Sequence, residues 1–419
     1  MQVVWVWLME LWLKGLWLKG LWLTGPVWVL SFTVQAASAF TQEERRAILS
    51  HGPWPLKSQP DPSNRVSGQP AAIALGRALF VEPRLSLKAD MSCASCHPPA
   101  QGWADGLPLA KGATGQAPLV RNTPSLWNVA HMHWMGWDGG SDSLWSFALR
   151  PLLNPQEMGA TATHVADLLR NDAALARHYQ RAFGVSRQAH PPPNDADEVR
   201  LVNAAKALAA YMETLRSGKS SFDLLRDALA RNDAQAAARY PTAARRGLSI
   251  FMGKGRCNVC HVGPMFSNGE FHDVGVPYFV AHGQVDAGRH AGVRLVREDA
   301  FNRLGVWSDE ATHASGERTR HLAEHHSQFG QFKVPSLRNV ARTAPYMHNG
   351  SLATLQDVVG HYSSLNEERL HQDGEALLKP LNLSQQEMND LVAFLHTLTS
   401  LELTQPKTLD RPKSQTLHR

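Results

Sequence analysis

All four cysteines of this 419-residue chain lie in two copies of one motif, Cys-x-x-Cys-His, at Cys93–His97 and Cys257–His261. Two thiols three positions apart form thioethers to the two vinyl groups of a c-type haem, and the adjacent histidine then reaches the iron as proximal ligand. Zinc is the weaker interpretation, because each pair would need partner ligands and the pairs lie far apart. The motifs therefore predict two covalently bound haems, attached at Cys93, Cys96, Cys257 and Cys260 and ligated by His97 and His261.

The surroundings of the two motifs repeat. Gly76–Phe80 precedes the first motif as Gly247–Phe251 precedes the second, and Pro124-Ser125-Leu126 after the first corresponds to Pro335-Ser336-Leu337 after the second. Duplicated helical haem domains explain this pattern most simply. We therefore expect a mainly α fold, made of two cytochrome c-like haem domains related by internal duplication.

Extending the repeat reveals an asymmetry. Pro151 lies 27 residues after Pro124, and Tyr362 lies 27 residues after Pro335. If this position faces the distal side of each haem, the first half offers no donor atom, whereas the second offers a phenol that can ligate iron as phenolate. One iron would then stay open to a small oxidant, as a peroxidase requires, and the other would be closed.

Two further residues could take part in chemistry at the open iron. Glu157 follows Pro151 by six residues, and its carboxylate could move a proton between the two oxygens of peroxide. A solvated or helix-capping glutamate is the alternative. Trp137 could act as an oxidisable relay between the haems, although a lone tryptophan also serves as core packing.

The N-terminal residues 1–39 are interpreted as an export signal. An apolar stretch, Leu21–Val34, is followed by Ala37-Ser38-Ala39, a small-x-small cleavage signature. An uncleaved membrane anchor is the alternative, but Lys14 and Lys19 interrupt the apolar run. We therefore expect a periplasmic protein whose mature chain has no membrane span. The formal charge of +5 is too thinly spread to predict nucleic-acid binding.

These residues together resemble the bacterial dihaem cytochrome c peroxidase superfamily over most of residues 40–400. The matching segments are Cys93–His97, Arg121–Leu126, Trp137–Gly139, Asn154–Met158, Cys257–His261, Pro335–Asn339 and Thr343–His348. Ordinary members place Met as distal ligand of the second haem, where this chain has Tyr362. That tyrosine resembles the MauG branch, whose members form a stabilised high-valent dihaem state and oxidise residues of a partner protein.

Within that branch, Gly52–Pro55 and Gly136–Gly139 look closest to MbnH, a relative associated with the copper chelator methanobactin that oxidises a Trp of its partner MbnP. The resemblance implies that Tyr362 ligates the second iron, that Pro151 and Glu157 lie over the open haem, and that Trp137 lies between the haems. It also implies calcium between the haem domains, held by the Asn122 side chain and by the backbone carbonyls of Thr343 and Pro345, oxygen ligands that suit a hard cation.

Two positions depart from the family. Phe147 stands where a Gln usually precedes the distal Pro by four residues, so a hydrogen bond into the pocket is missing. Gly255 stands where MauG has a Trp on its route to the partner, so another electron exit must serve. Trp307 and Tyr278 are candidates for this electron exit.

The domain bounds and the remaining helices are predicted from the pattern of apolar and polar residues. We expect an N-terminal haem domain over 40–238, a C-terminal haem domain over 239–404 and a polar tail over 405–419. Helices are predicted over Asp197–Leu215 and Ala243–Phe251, and a capping box from Ser384 to Glu387 should open a terminal helix. The His-rich insertion 281–331 is interpreted as a solvated loop. Its His321 and His325 would hold a metal only if they share a helix.

The sequence therefore predicts a haem-dependent oxidoreductase that reacts with hydrogen peroxide and oxidises a periplasmic partner protein. Two alternatives remain. A conventional dihaem peroxidase would take electrons from a small cytochrome c or cupredoxin, and a plain electron carrier would have no vacant iron site.

Overall fold

The computed structural model describes residues 40–184, 196–281, 284–370 and 377–401. The predicted export signal and polar tail lie outside the described residues. From Gln42 onward the described chain clusters as one unit. No helix in the described ranges is long and apolar enough to cross a membrane.

The fold is mainly helical, as expected. The α-helices are α1 Gln42–Ser50, α2 Pro70–Phe80, α3 Cys93–Cys96, α4 Leu144–Leu153, α5 Ala162–Asn171, α6 Ala173–Phe183, α7 Ala196–Met212, α8 Ser221–Ala230, α9 Ala234–Ala237, α10 Thr242–Met252, α11 Arg289–Glu298, α12 Glu317–Arg320, α13 Leu355–Ser363 and α14 Gln385–His396. The strands are β1 Phe271–His272, β2 Phe279–Ala281, β3 Gln284–Val285 and β4 Phe332–Lys333. Antiparallel pairs join β1 to β4 and β2 to β3.

Two close helix pairs build the core around the motifs. In the first half α2 packs on α7, and a Cβ at Gly76 would fall 1.9 Å from the carbonyl oxygen of Ala207. In the second half α10 packs on α14, and a Cβ at Gly247 would fall 1.9 Å from the carbonyl oxygen of Asp390. Only glycine permits such an approach of two backbones. The glycines that align in the sequence are therefore the contact points of equivalent helix pairs.

Local signals in the sequence predicted the helices well. The capping box is confirmed: Ser384 Oγ accepts from Glu387 N at 3.3 Å, and the Glu387 carboxylate accepts from Ser384 N at 2.7 Å. The helix predicted over Asp197–Leu215 is α7, which ends at Met212. It stops early because Leu215 turns away from the helix, and its carbonyl accepts from Asn128 N at 2.8 Å.

The interpretation of the insertion 281–331 as a solvated loop is wrong. It contains α11 and α12, and its Val293, Val296 and Trp307 are buried. The chain before and after it is joined where β1 pairs with β4, through Phe271↔Lys333 and His272↔Phe332. The polar composition misleads because charged groups serve as its anchors. Arg303, for example, pairs with Asp61 at 2.7 Å.

The histidines of the insertion do not form the metal pair considered from the sequence. Helix α12 ends at Arg320, so His321 and His325 do not share a helix. His321 instead contacts Glu317 at 2.8 Å. Among the described residues no cluster of three or more His, Cys, Asp or Glu is placed to hold a metal ion.

Candidate functional site

The first Cys-x-x-Cys-His motif places both thiols on one helical turn. Helix α3 begins at Cys93 and ends at Cys96, and Ser92 caps its N-terminus. His97 follows directly, and its Nδ1 lies 2.8 Å from the carbonyl oxygen of Trp103. Because a carbonyl only accepts, Nδ1 carries the proton and Nε2 keeps its lone pair. This is the arrangement that orients a histidine toward a metal.

The second motif holds its histidine through the same kind of hydrogen bond, although its turn is different. Cys257–Val259 forms a short 3-10 turn, and His261 Nδ1 lies 2.8 Å from the carbonyl oxygen of Phe266. Burial lowers the pKa of His261 to about 4, which favours the neutral imidazole that metals bind. Both histidines therefore make a hydrogen bond of the kind that orients a metal ligand.

A cavity of about 510 Å³ joins the second motif to the region of Trp137. Its lining includes Cys257, Cys260, His261 and Tyr362, with apolar side chains such as Val359 completing the wall. Concave, mainly apolar sites of this size hold cofactors. The residues present therefore fit a haem at the second motif.

Unsatisfied polar groups mark the region of the first motif. The indole Nε1 of Trp103, the indole Nε1 of Trp127 and the hydroxyl of Tyr211 are buried without a hydrogen-bond partner among the described residues. Trp103 provides the carbonyl that holds His97, and Tyr211 is close enough to Cys93 for the thiolate charge to act on its pKa. Buried donors require acceptors, and haem carries two carboxylates. This region also fits the cofactor.

The structure places Pro151 and Tyr362 at equivalent points of two helices. Pro151 lies in α4, seven residues after Leu144, and Tyr362 lies in α13, seven residues after Leu355. Each helix begins with a hydroxyl cap that accepts from a backbone N–H three residues on. Burial raises the pKa of Tyr362, and the nearby charges of Cys257 and Cys260 raise it further.

Glu157 lies beside the first motif. It follows α4 in a tight turn, in which its N–H donates to the carbonyl of Asn154 at 2.9 Å. Its charge is close enough to raise the pKa of both Cys93 and Cys96. Burial raises the pKa of Glu157 itself, opposed by the charge of Arg150. A raised pKa makes the protonated form of this carboxyl easier to keep than that of an exposed glutamate, which suits a role in proton transfer.

Trp137 lies in the cavity wall, and its indole is fixed. Nε1 donates to the carbonyl oxygen of Asn122 at 2.9 Å, and the Trp137 carbonyl accepts from Lys333 N at 2.8 Å. Asn122, Thr343 and Pro345, which the resemblance assigned to calcium, line the same cavity. The structure thus brings together the predicted relay, the predicted calcium ligands and the second motif.

Sequence reasoning missed an ion-pair network beside Trp137. Arg121 bridges two carboxylates, with Nη1 2.6 Å from Asp138 Oδ2 and Nε 2.6 Å from Asp286 Oδ2. Arg150 reaches Asp138 from α4 at 3.2 Å. Although burial opposes it, the two arginine charges lower the pKa of Asp138 well below its usual range. Asp138 and Arg121 lie in the family-like segments, but their pairing across the chain could not be inferred from spacing.

A second tryptophan near Trp137 has a different environment. The guanidinium of Arg289 lies 4.4 Å from the ring centroid of Trp134 and 4.1 Å from that of Phe271. Lys333 Nζ donates to the Trp134 carbonyl at 2.9 Å. A cation over an aromatic face opposes removal of an electron from that ring. The Arg289 cation therefore makes the Trp134 ring harder to oxidise.

Comparisons with known proteins identify the family of this chain. Residues 70–230 match the family model described as di-haem cytochrome c peroxidase. The chain is 34% identical over 329 residues to the methylamine utilization protein MauG of Methylorubrum extorquens. The aligned region covers 78% of this chain and 78% of that relative. It is 32% identical over 342 residues to the cytochrome-c peroxidase IdrP1 of Denitromonas iodatirespirans, covering 81% of this chain and 84% of the relative.

A solved structure is also similar. The crystal structure of a MauG-like protein associated with microbial copper homeostasis superposes with a TM-score of 0.62 at 26% identity, covering 86% of this chain and 99% of the other. The protein is therefore a haem-dependent oxidoreductase. It belongs to the di-haem cytochrome c peroxidase family, which implies two c-type haems and hydrogen peroxide as oxidant. Membership contradicts the plain electron carrier considered from the sequence.

Proposed function

We propose that this protein is a periplasmic dihaem oxidase that uses hydrogen peroxide to oxidise tryptophan residues of a partner protein by long-range electron transfer. The observation that carries the proposal is the unequal pair Pro151 and Tyr362. One matching helix position offers a phenol beside His261, and the other offers only a proline ring. In the proposed centre, His261 and Tyr362 hold one iron, whereas His97 alone holds the other.

The haems would supply the redox chemistry and store the two oxidising equivalents of one peroxide. The chain supplies the rest. Glu157 carries a proton on its carboxyl group between the two peroxide oxygens, and its burial keeps that proton available. Pro151 leaves space beside Glu157 and adds no competing donor. Trp137 provides an oxidisable ring within the cavity wall, held by Asn122.

Equivalent contacts support the proposed internal duplication into domains 40–238 and 239–404. Asn128 and Asn339 both adopt left-handed backbone conformations, with φ of 59° and 62°. Each accepts from the N–H of a serine near the end of its half, Ser217 at 2.9 Å and Ser400 at 2.9 Å. Isolated bridges, Met135↔Ser141 and Tyr346↔Leu352, also correspond.

Calcium between the haem domains is part of the proposal. Asn122 Nδ2 donates to the carbonyl of Leu107 at 2.8 Å, which leaves Oδ1 available as a ligand with the carbonyls of Thr343 and Pro345. Neutral oxygens of this kind suit calcium. The same Asn122 accepts from Trp137 through its backbone carbonyl, so the site would also fix the relay. Chelation of calcium should then weaken electronic coupling between the haems, and re-addition should restore it.

The partner is proposed from chemistry and likeness. The likeness to MauG supports a protein as the substrate of this chain. The structural relative associated with copper homeostasis favours a copper-related partner of the MbnP kind. The export signal predicted over residues 1–39 would bring this protein into the periplasm, where the partner would then have to be. Mass spectrometry of a candidate partner after turnover should find oxygen added to Trp.

The test is to add peroxide to the diferric holoprotein and record near-infrared and Mössbauer spectra, with Tyr362→Met as comparison. The proposal predicts a near-infrared band from two coupled oxidised haems in the wild type and its loss in Y362M. A wild-type protein that shows no such band, and that ascorbate readily half-reduces, would instead be a conventional peroxidase fed by a small cytochrome c or cupredoxin.

A further inference from the structure

An aromatic cluster lies at the base of the insertion. The ring of Tyr278 stacks on Phe279 with centroids 5.3 Å apart and an interplanar angle of 19°, and Phe329 meets Tyr278 edge-on at 5.8 Å. The side chain of Phe279 is 71% exposed, whereas Tyr278 is half-buried beneath it. The cluster thus runs from the surface inward.

The inner side of Tyr278 lies against segments that line the cavity. Gly330 is so close to the ring that a Cβ there would come within 2.9 Å of Tyr278 Cδ1. Two residues further on, Phe332 lines the cavity and stacks on His348 with centroids 3.5 Å apart. On the other flank, Asn349 Nδ2 donates to the carbonyl of Pro277 at 3.2 Å. Gly330 and Asn349 are thus next in the chain to the cavity-lining residues Gln331 and His348, and they connect Tyr278 to the cavity wall.

The other candidate exit is enclosed. Trp307 is 6% exposed and packs with Phe301 in the core of the first half. Its carbonyl accepts from the ammonium of Lys206 at 2.7 Å. A partner protein cannot reach this ring without local unfolding. Tyr211 and Tyr240 are likewise buried.

We propose that Tyr278 is the residue through which electrons pass from the partner to the haem cavity, with Phe279 as the apolar contact for that partner. This rests on the proposed function. In the absence of a partner, Tyr278 itself becomes the electron source: two phenols each give up one electron and one proton. One hydrogen peroxide takes up both electrons and both protons to become two waters, and the two tyrosyl radicals couple through a new carbon–carbon bond between two copies of the chain.

The test treats the full diferric holoprotein with peroxide and no partner, then measures peroxide consumption, covalent dimers on denaturing gels and cross-linked peptides by mass spectrometry. The wild type should yield a Tyr278–Tyr278 link. Tyr278→Phe removes only the hydroxyl, so it should keep peroxide reduction in the first turnover and lose the dimer. Trp307→Phe and Tyr179→Phe are matched controls, and both variants should still form the covalent dimer.

Two outcomes would overturn the inference in distinguishable ways. If peroxide is reduced but Y278F forms as much dimer as the wild type, or the link maps to another residue, the exit at Tyr278 is wrong and the proposed function stands. If the wild type does not reduce peroxide, the proposed function fails and the exit fails with it.

Discussion

Pro151 and Tyr362 occupy the same position in two helices that begin with the same kind of hydroxyl cap. A proline ring and a phenol differ in the one property that matters beside an iron, which is the presence of a donor atom. The two helices are alike in length and start, so the difference rests on the side chains and not on the backbone. The following predictions depend on this inequality.

Replacing Tyr362 by Met should make the second haem easier to reduce. Thioether ligation favours the reduced iron, whereas phenolate favours oxidised states. We expect the reduction potential of that haem to rise by on the order of 0.1 V or more, within the span of ~0.8 V that axial ligands cover. Redox titration measures the shift, and ascorbate should then half-reduce the variant. An unchanged potential would mean that Tyr362 is not a ligand.

Replacing Glu157 by Gln should slow the reaction with peroxide while leaving the resting absorption spectrum unchanged. A positioned acid–base group contributes roughly 10²–10⁴-fold, and Gln cannot transfer the proton. Stopped-flow mixing with peroxide gives the rate. Glu213→Gln is a matched control, because Glu213 is also a buried carboxyl with a raised pKa but bonds to Ser67 in another part of the half. Equal rates for E157Q and the wild type would assign Glu157 a structural role.

Removing Trp137 should uncouple the haems, and removing Trp134 should not. The indole N–H of Trp137 donates to a carbonyl, which stabilises positive charge on the oxidised ring, whereas the Arg289 cation over Trp134 destabilises it. In W137F the near-infrared band after peroxide should disappear, and in W134F it should remain. The reverse pattern would place the relay on Trp134.

The ion pair between Arg338 in the second half and Asp223 in the first should stabilise the fold strongly. Both side chains are 1% exposed and two oxygens of Asp223 accept at 3.0 Å, so Asp223→Asn leaves a buried guanidinium without its counter-charge. We expect a loss of about 3–5 kcal/mol in the free energy of unfolding. Asp167→Asn, which removes an exposed partner of Arg170, should cost about 0.2–1 kcal/mol. Denaturant unfolding of both variants decides the comparison, and equal losses would contradict it.

What the sequence predicted correctly is mostly local. The capping box at Ser384 and the helix predicted over Asp197–Leu215, which the structure ends at Met212, depend on neighbouring residues, which a pattern can read. The register from the aligned prolines led to Pro151 and Tyr362 because a repeat carries positions across the chain. The motifs likewise pointed to His97 and His261, whose roles as iron ligands stay predictions.

What the sequence could not predict depends on distant contacts. Arg121 and Asp286 are 165 residues apart and meet at 2.6 Å. Arg289 is buried because it stacks on Trp134 and Phe271, so a polar stretch that looked solvated is anchored in the core. Such pairings follow from the packing of the two halves, which no spacing along the chain encodes.

The most direct test of the central claim is electron paramagnetic resonance of the isolated diferric holoprotein at low temperature. The account predicts equal amounts of two species: a high-spin iron with an open position at the first motif, and an iron ligated by His261 and Tyr362 whose signal changes in Tyr362→Phe. Two low-spin irons with nitrogen or sulfur ligands on both faces, unaffected by that substitution, would contradict it.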